Sequence, residues 1–133
     1  MKRLSIKIVD KDNQFGCDAM EKLVSLKKVN IKCFTTLKTF IDSYKKNGAD
    51  VVFLSSDLLD QENFDQGVSY DEIVSLKNKS NQSSTFVLID ENDKKEYALS
   101  NLLEISDDLF IKSKFVYKLM ALTIIDKKRM YNI

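Results

Sequence analysis

Short runs of β-branched and aromatic residues recur along the chain, separated by longer stretches whose apolar positions fall at helical spacing. The runs are Ile6 to Val9, Asn30 to Phe34, Val51 to Leu54, Thr85 to Ile89 and Leu109 to Ile111. Runs this short, bounded by polar and turn-forming residues, read as strands covered on both faces of a parallel sheet. Phe15, Ala19, Leu23 and Leu26 place a first helix after the first run, with Asp12 or Asn13 as its N-cap. Thr36 caps a second helix carrying Leu37, Phe40, Ile41 and Tyr44, which Gly48 closes. A third helix is predicted from Tyr70 or Asp71 to Lys79, burying Ile73, Val74 and Leu76. A fourth spans Glu96 to Leu103, and Phe115, Leu119, Leu122 and Ile124 or Ile125 give a fifth one apolar face. Ser55 to Ser69 breaks this rhythm with Asp57, Asp60, Glu62 and Asp65, and reads as a long acidic loop.

Strand and helix thus alternate along one α/β domain over residues 1–133. Right-handed crossovers then leave an open, five-stranded parallel sheet with helices on both faces. No proline interrupts any of these segments. Composition narrows the function classes. With 44% hydrophobic and 31% charged residues, the chain reads as globular rather than disordered. No apolar run approaches the ~20 residues of a membrane span, and Met1-Lys2-Arg3 opens no signal peptide, so a cytoplasmic protein without membrane insertion is expected. A formal charge of +1 gives no general pull toward nucleic acid or acidic lipid, and no direct nucleic-acid binding is expected. The absence of His removes the commonest metal ligand and general base. Cys17 and Cys33 read as small core residues of a reducing compartment, with a disulfide or redox pair as the alternative. Lys127-Lys128-Arg129 suits a helix C-terminus. That last helix shows no stop signal, which is compatible with a domain cut from a longer chain and equally with a frayed end.

Function in such a sheet gathers at the carboxyl ends of the strands. Here those ends deliver Asp10-Lys11, Ser55, Asp90 and Lys112-Ser113. The order and spacing of these segments resemble the receiver domain of bacterial response regulators, over nearly the whole chain. The resemblance implies a flavodoxin-like, receiver-type (βα)5 fold and a phosphoacceptor site at these strand ends. Asp10 and Lys112 match the receiver pattern. Lys11 stands where a second Mg²⁺-binding acid belongs, Ser55 where the phosphorylated aspartate belongs, Asp90 where a Thr or Ser belongs, and Ser113 where a proline follows the lysine. By charge count, the site falls from roughly −3 to about −1 before Lys112 is included. Hard divalent cations should bind such a site poorly, and a serine hydroxyl forms no acyl phosphate.

The resulting expectation is a degenerate receiver with no catalytic residue, no metal and no cofactor, whose strand-end residues Asp10, Lys11, Ser55, Asp90 and Lys112 are vestigial. An Asp10–Lys112 salt bridge would then be structural. The alternative is an active, Mg²⁺-dependent phosphoacceptor domain using a displaced aspartate, Asp57, with Asp12 nearby. A small flavodoxin-like enzyme or ligand binder is a third reading, disfavoured by the lack of His and of a Gly-rich loop. Receivers commonly dimerise or contact output domains through their fourth helix, fifth strand and fifth helix. In this chain that face draws on Tyr97, Leu103, Phe110, Phe115, Tyr117 and Tyr131. The resemblance extends to atypical receivers that precede ParA/MinD-like ATPase domains in pilus-assembly proteins. It implies phosphorylation-independent protein–protein interaction, dimerisation or localisation, with a homodimer mate or a C-terminal ATPase or output domain as partner.

Overall fold

Each of the five apolar runs becomes a strand. The computed structural model describes residues 3–59, 72, 73, 75, 76, 84–90 and 107–130. Its strands are β1 (Leu4–Val9), β2 (Val29–Phe34), β3 (Val51–Ser55), β4 (Thr85–Asp90) and β5 (Asp108–Ile111). They pair in parallel in the order β2-β1-β3-β4-β5, which leaves β2 and β5 at the edges. The described helices are α1 (Asn13–Leu23), α2 (Leu37–Asn47) and α3 (Val116–Met130). Among the described residues no helix is long and apolar enough to cross a membrane.

The two faces of the sheet carry separate cores, which is why the strands read as continuous apolar runs rather than alternating ones. On one face Ile6, Ile8, Phe53 and Ile89 meet Phe15, Ala19 and Leu23 of α1 and Val116, Met120 and Ile124 of α3. On the other, Val9, Val52, Leu54 and Leu88 meet Leu37, Phe40, Ile41 and Tyr44 of α2, together with Ile73 and Leu76. Residues 72, 73, 75 and 76 are helical, as the third predicted helix requires, while the rest of that helix lies outside the described residues. So does the whole of the fourth, Glu96 to Leu103.

Helix ends follow local chemistry. The Asp12 carboxylate accepts from the Gln14 N–H at 3.0 Å, and Thr36 Oγ1 accepts from the Thr39 N–H at 3.3 Å. α1 stops at Leu23, so Leu26 sits half-buried in the following turn instead of extending the helical stripe. Gly48 ends α2 at φ 65°, ψ −164°, its N–H donating to the Tyr44 carbonyl at 2.7 Å. Only glycine adopts that region without strain. Gly48→Ala is therefore expected to cost about 1–3 kcal/mol, read as a lower urea midpoint with unchanged slope. An undiminished midpoint would mean that the turn relaxes elsewhere.

Three expectations need correction. The buried face of α3 is Val116, Met120, Ile124 and Lys127, whereas Phe115, Leu119 and Leu122 are exposed. α3 carries apolar residues on two faces, and periodicity alone does not choose between them. The turn before it does: Ser113 accepts from the Phe115 N–H through Oγ and from the Val116 N–H through its carbonyl. The cysteines are not core residues: Cys17 is exposed, Cys33 is half-buried on edge strand β2, and both thiols are free. The Cys33 thiol lies 3.4 Å from the Gly16 carbonyl and is pushed up to about 11 by burial, then by Cys17. Finally, Ser55 to Ser69 does not begin as a loop: Ser55 completes β3 and Ser56–Leu59 form a 3-10 turn, with residues 60–69 outside the described set.

Candidate functional site at the strand ends

The strand order reverses between β1 and β3, so the crevice beyond their carboxyl ends is where a ligand would bind. Register sets its residues. Val9 pairs with Leu54, so the next rung holds Asp10 beside Ser55, and Asp90 pairs with Ile111, so Lys112 follows just beyond. The Lys112 N–H donates to the Asp90 carbonyl at 2.7 Å, and the Asp10 N–H to the Phe34 carbonyl at 3.0 Å. These backbone bonds carry the sheet pattern one residue past the strands and fix both charged side chains.

Asp10 is only 4% exposed and both its oxygens are engaged. Oδ1 accepts from the Asp12 N–H at 2.8 Å, and Oδ2 meets Lys112 Nζ at 3.0 Å. The same ammonium lies 4.3 Å from the centre of the Phe15 ring on α1. Charge, backbone donor and aromatic face thus converge on one ion pair. Ser55 is buried at the end of β3, beside it. Lys11 points out to solvent. Asp90 is buried, and its Oδ1, like the Ser56 hydroxyl, has no hydrogen-bond partner among the described residues. Asp57 lies in the 3-10 turn after β3, and its side chain is outside the described set.

Receivers imply a bound Mg²⁺, and the residues here do not fit one. The one matching acid is already neutralised by Lys112, its neighbour Lys11 is cationic, and Ser55 brings a neutral hydroxyl. Among the described residues no three His, Cys, Asp or Glu side chains converge.

The surface candidates divide. Phe110 is buried against the α1/α3 face of the sheet, because alternation along β5 turns it inward, so it is a core residue and not an exposed anchor. Tyr117 is half-buried and stacks on Phe15 with ring centres 5.6 Å apart. Its hydroxyl is pushed up by burial, then by the Asp18 carboxylate. Phe115 is 58% exposed and continues into exposed Leu119 and Leu122 along α3. Tyr97, Leu103 and Tyr131 lie outside the described residues.

One buried charge escaped the sequence reading. Lys7 lies in the middle of β1, 1% exposed, under α2. Its ammonium donates to Ser43 Oγ at 2.9 Å and sits 6.0 and 5.8 Å from the ring centres of Phe34 and Tyr44. Burial, and then the Lys32 charge, lower it to about 8. Lys32 is its register neighbour on β2. The signal was visible: a lysine between Ile6 and Ile8 in a strand covered on both faces has no solvent to face.

Neither a family model nor a curated protein matches the sequence. Solved structures do match, along nearly the whole chain. A two-component response regulator from Clostridium difficile superposes with a TM-score of 0.74 at 18% identity, covering 98% of this chain and 100% of that one. The fold is that of a receiver domain. The BeF3-activated receiver domain of DrrB, a Thermotoga maritima protein, gives 0.71 at 19% identity over 96% of this chain and 98% of its own. An orphan response regulator of H. pylori gives 0.70 at 15% identity, with 93% and 95% covered. The five-stranded order and the crevice between β1 and β3 belong to this receiver fold.

Proposed function

We propose that this chain is a non-phosphorylatable receiver-like domain that works by protein contact, in bacterial signalling or in the localisation of a pilus-assembly ATPase. The observation that carries the reading is Ser55, buried at the end of β3 where a receiver presents its acceptor carboxylate, beside an Asp10 already held by Lys112. A receiver switches because a metal-bound carboxylate takes up a phosphoryl group, and this crevice supplies neither the charge nor the acyl acceptor. What remains for function is surface. The exposed stripe Phe115, Leu119 and Leu122 runs along α3. Apolar side chains exposed in one row favour a protein partner, either a second copy or an output or ATPase domain of the same chain.

An amide NMR titration with Mg²⁺ and then beryllium fluoride tests this reading. The expected result is no saturable shift at Asp10, Ser55 or Lys112. Saturable shifts spreading from these residues into β5 and α3 would sink it, and Asp57 would become the residue to mutate. The surface half has its own check by sedimentation: Leu122→Asp should abolish any self-association of the full chain, and unchanged association would place the contact elsewhere.

A further inference from the structure

A formal charge of +1 does not report where the charges lie. In a parallel α/β sheet every helix runs back toward the N-terminal ends of the strands. The last turns of α1 and α3, the α1–β2 turn and the start of β1 therefore share one end of the molecule. There the chain places Arg3, Lys22, Lys27, Lys28, Lys128 and Arg129, all exposed but the half-buried Lys128. The cluster is contiguous. Lys128 Nζ donates to the Lys27 carbonyl, and the Leu4 N–H donates to the Lys28 carbonyl at 2.9 Å, tying α3, the turn and β1 together. The exposed acids described at this end are Glu21 and Asp126 in the helix ends and Asp107 and Asp108 at the start of β5, and Asp126 lies 3.8 Å from Arg129.

Helix C-termini favour cations, which accounts for Lys22, Lys128 and Arg129. It does not account for Arg3, Lys27 or Lys28. Lys28 is moreover held at φ 63°, a conformation that glycine or asparagine adopts more readily, yet a long cation occupies it. A second, independent feature falls in the same place. Of the described large hydrophobic side chains, the two most exposed are Val24 at 73% and Met130 at 67%. Val24 caps the end of α1 between Lys22 and Lys27, and Met130 ends α3 beside Arg129.

We propose that this end of the domain, formed by the α1–β2 turn and the end of α3, adsorbs to an anionic lipid surface. The six cations meet lipid headgroups and Val24 and Met130 enter the interface. Basic residues beside exposed apolar ones are the combination that lies on an anionic bilayer without crossing it. A nucleic-acid backbone would use the cations and leave Val24 and Met130 without a role. No aromatic side chain among the described residues of this end is available to stack on bases. The proposal does not depend on the crevice being inactive.

Flotation of the full chain with phosphatidylglycerol-containing vesicles tests it, against pure phosphatidylcholine and at low and high salt. Wild type should float with the anionic vesicles only, and high salt should release it. Lys27→Ser with Arg129→Ser should weaken binding by at least roughly tenfold, following the contribution of each basic residue near such a surface. Lys38→Ser with Lys114→Ser removes equal charge from the opposite end of the molecule, at the starts of α2 and α3, and should change binding by less than about twofold. Val24→Ser with Met130→Ser should weaken it at unchanged charge. Equal loss in the two charge pairs, equal binding to neutral vesicles, or no flotation at all would each overturn the proposal. So would duplex DNA that binds wild type as tightly as the vesicles do and loses binding in the same Lys27/Arg129 variant.

Discussion

Lys7→Met is expected to stabilise the domain by about 1–3 kcal/mol at neutral pH, an unusual sign for a substitution at a buried position. Methionine has nearly the length of the lysine stem and places a thioether where the ammonium now sits between Phe34 and Tyr44. Among the described residues the ammonium has one hydroxyl partner, Ser43, and two ring faces, with Lys32 alongside and no carboxylate opposite. Its desolvation is therefore only partly offset. The lysine falls from 10.5 when solvated to about 8 in the fold. Between those values the unfolded chain binds more protons than the folded one, so stability rises with pH across this window. Above 10.5 the cost is gone, and below about 8 it is fully present, on the order of 3 kcal/mol. The informative quantity is wild type minus variant, which cancels groups common to both. Urea midpoints from pH 7 to pH 10 should converge as pH rises. A gap that stays constant would show that protonation of Lys7 is not its origin.

Asp10→Ala should act in the opposite direction, destabilising by about 2–4 kcal/mol. It strips the carboxylate from Lys112 and leaves the Asp12 N–H without its acceptor at the point where α1 begins. Lys112 is 19% exposed, so water relieves part of the loss and the effect should fall short of a fully buried pair. Lys112→Met alone removes the cation and spares the Asp12 contact, and it should cost less. In the double-mutant cycle the coupling should reach roughly 1–2 kcal/mol, read from urea midpoints at unchanged slope. Additive single effects would mean that Asp10 acts through the Asp12 turn alone.

Much of this architecture was legible because the strands are covered on both sides. A continuous apolar run such as Val51 to Leu54 has few readings other than a central parallel strand, and Thr36 and Gly48 mark the ends of α2 by chemistry that acts within one turn. α3 was harder. Its sequence supports two apolar stripes, and the choice between them lies with Ser113, through hydrogen bonds that periodicity does not encode. Asp10 and Lys112 were identified by their places at strand ends, and the structure brings them together. Phe110 was misread because inward and outward positions on an edge strand look alike in sequence. Lys7 and the basic end were missed for a related reason: a count of charges does not report where the fold puts them.

The placement of β2 has one more consequence. As an outer strand it offers one side of its backbone to any extended chain, the usual route to aggregation. Its side chains alternate, with Asn30 and Lys32 turned out to solvent. A lysine on an outer strand discourages such pairing, because a docking chain would have to desolvate it. Lys32 is also the residue beside Lys7 in the register. The same charge that keeps the molecule from sticking to its neighbours thus adds to the strain under α2, and solubility and internal stability are opposed at one rung of the sheet.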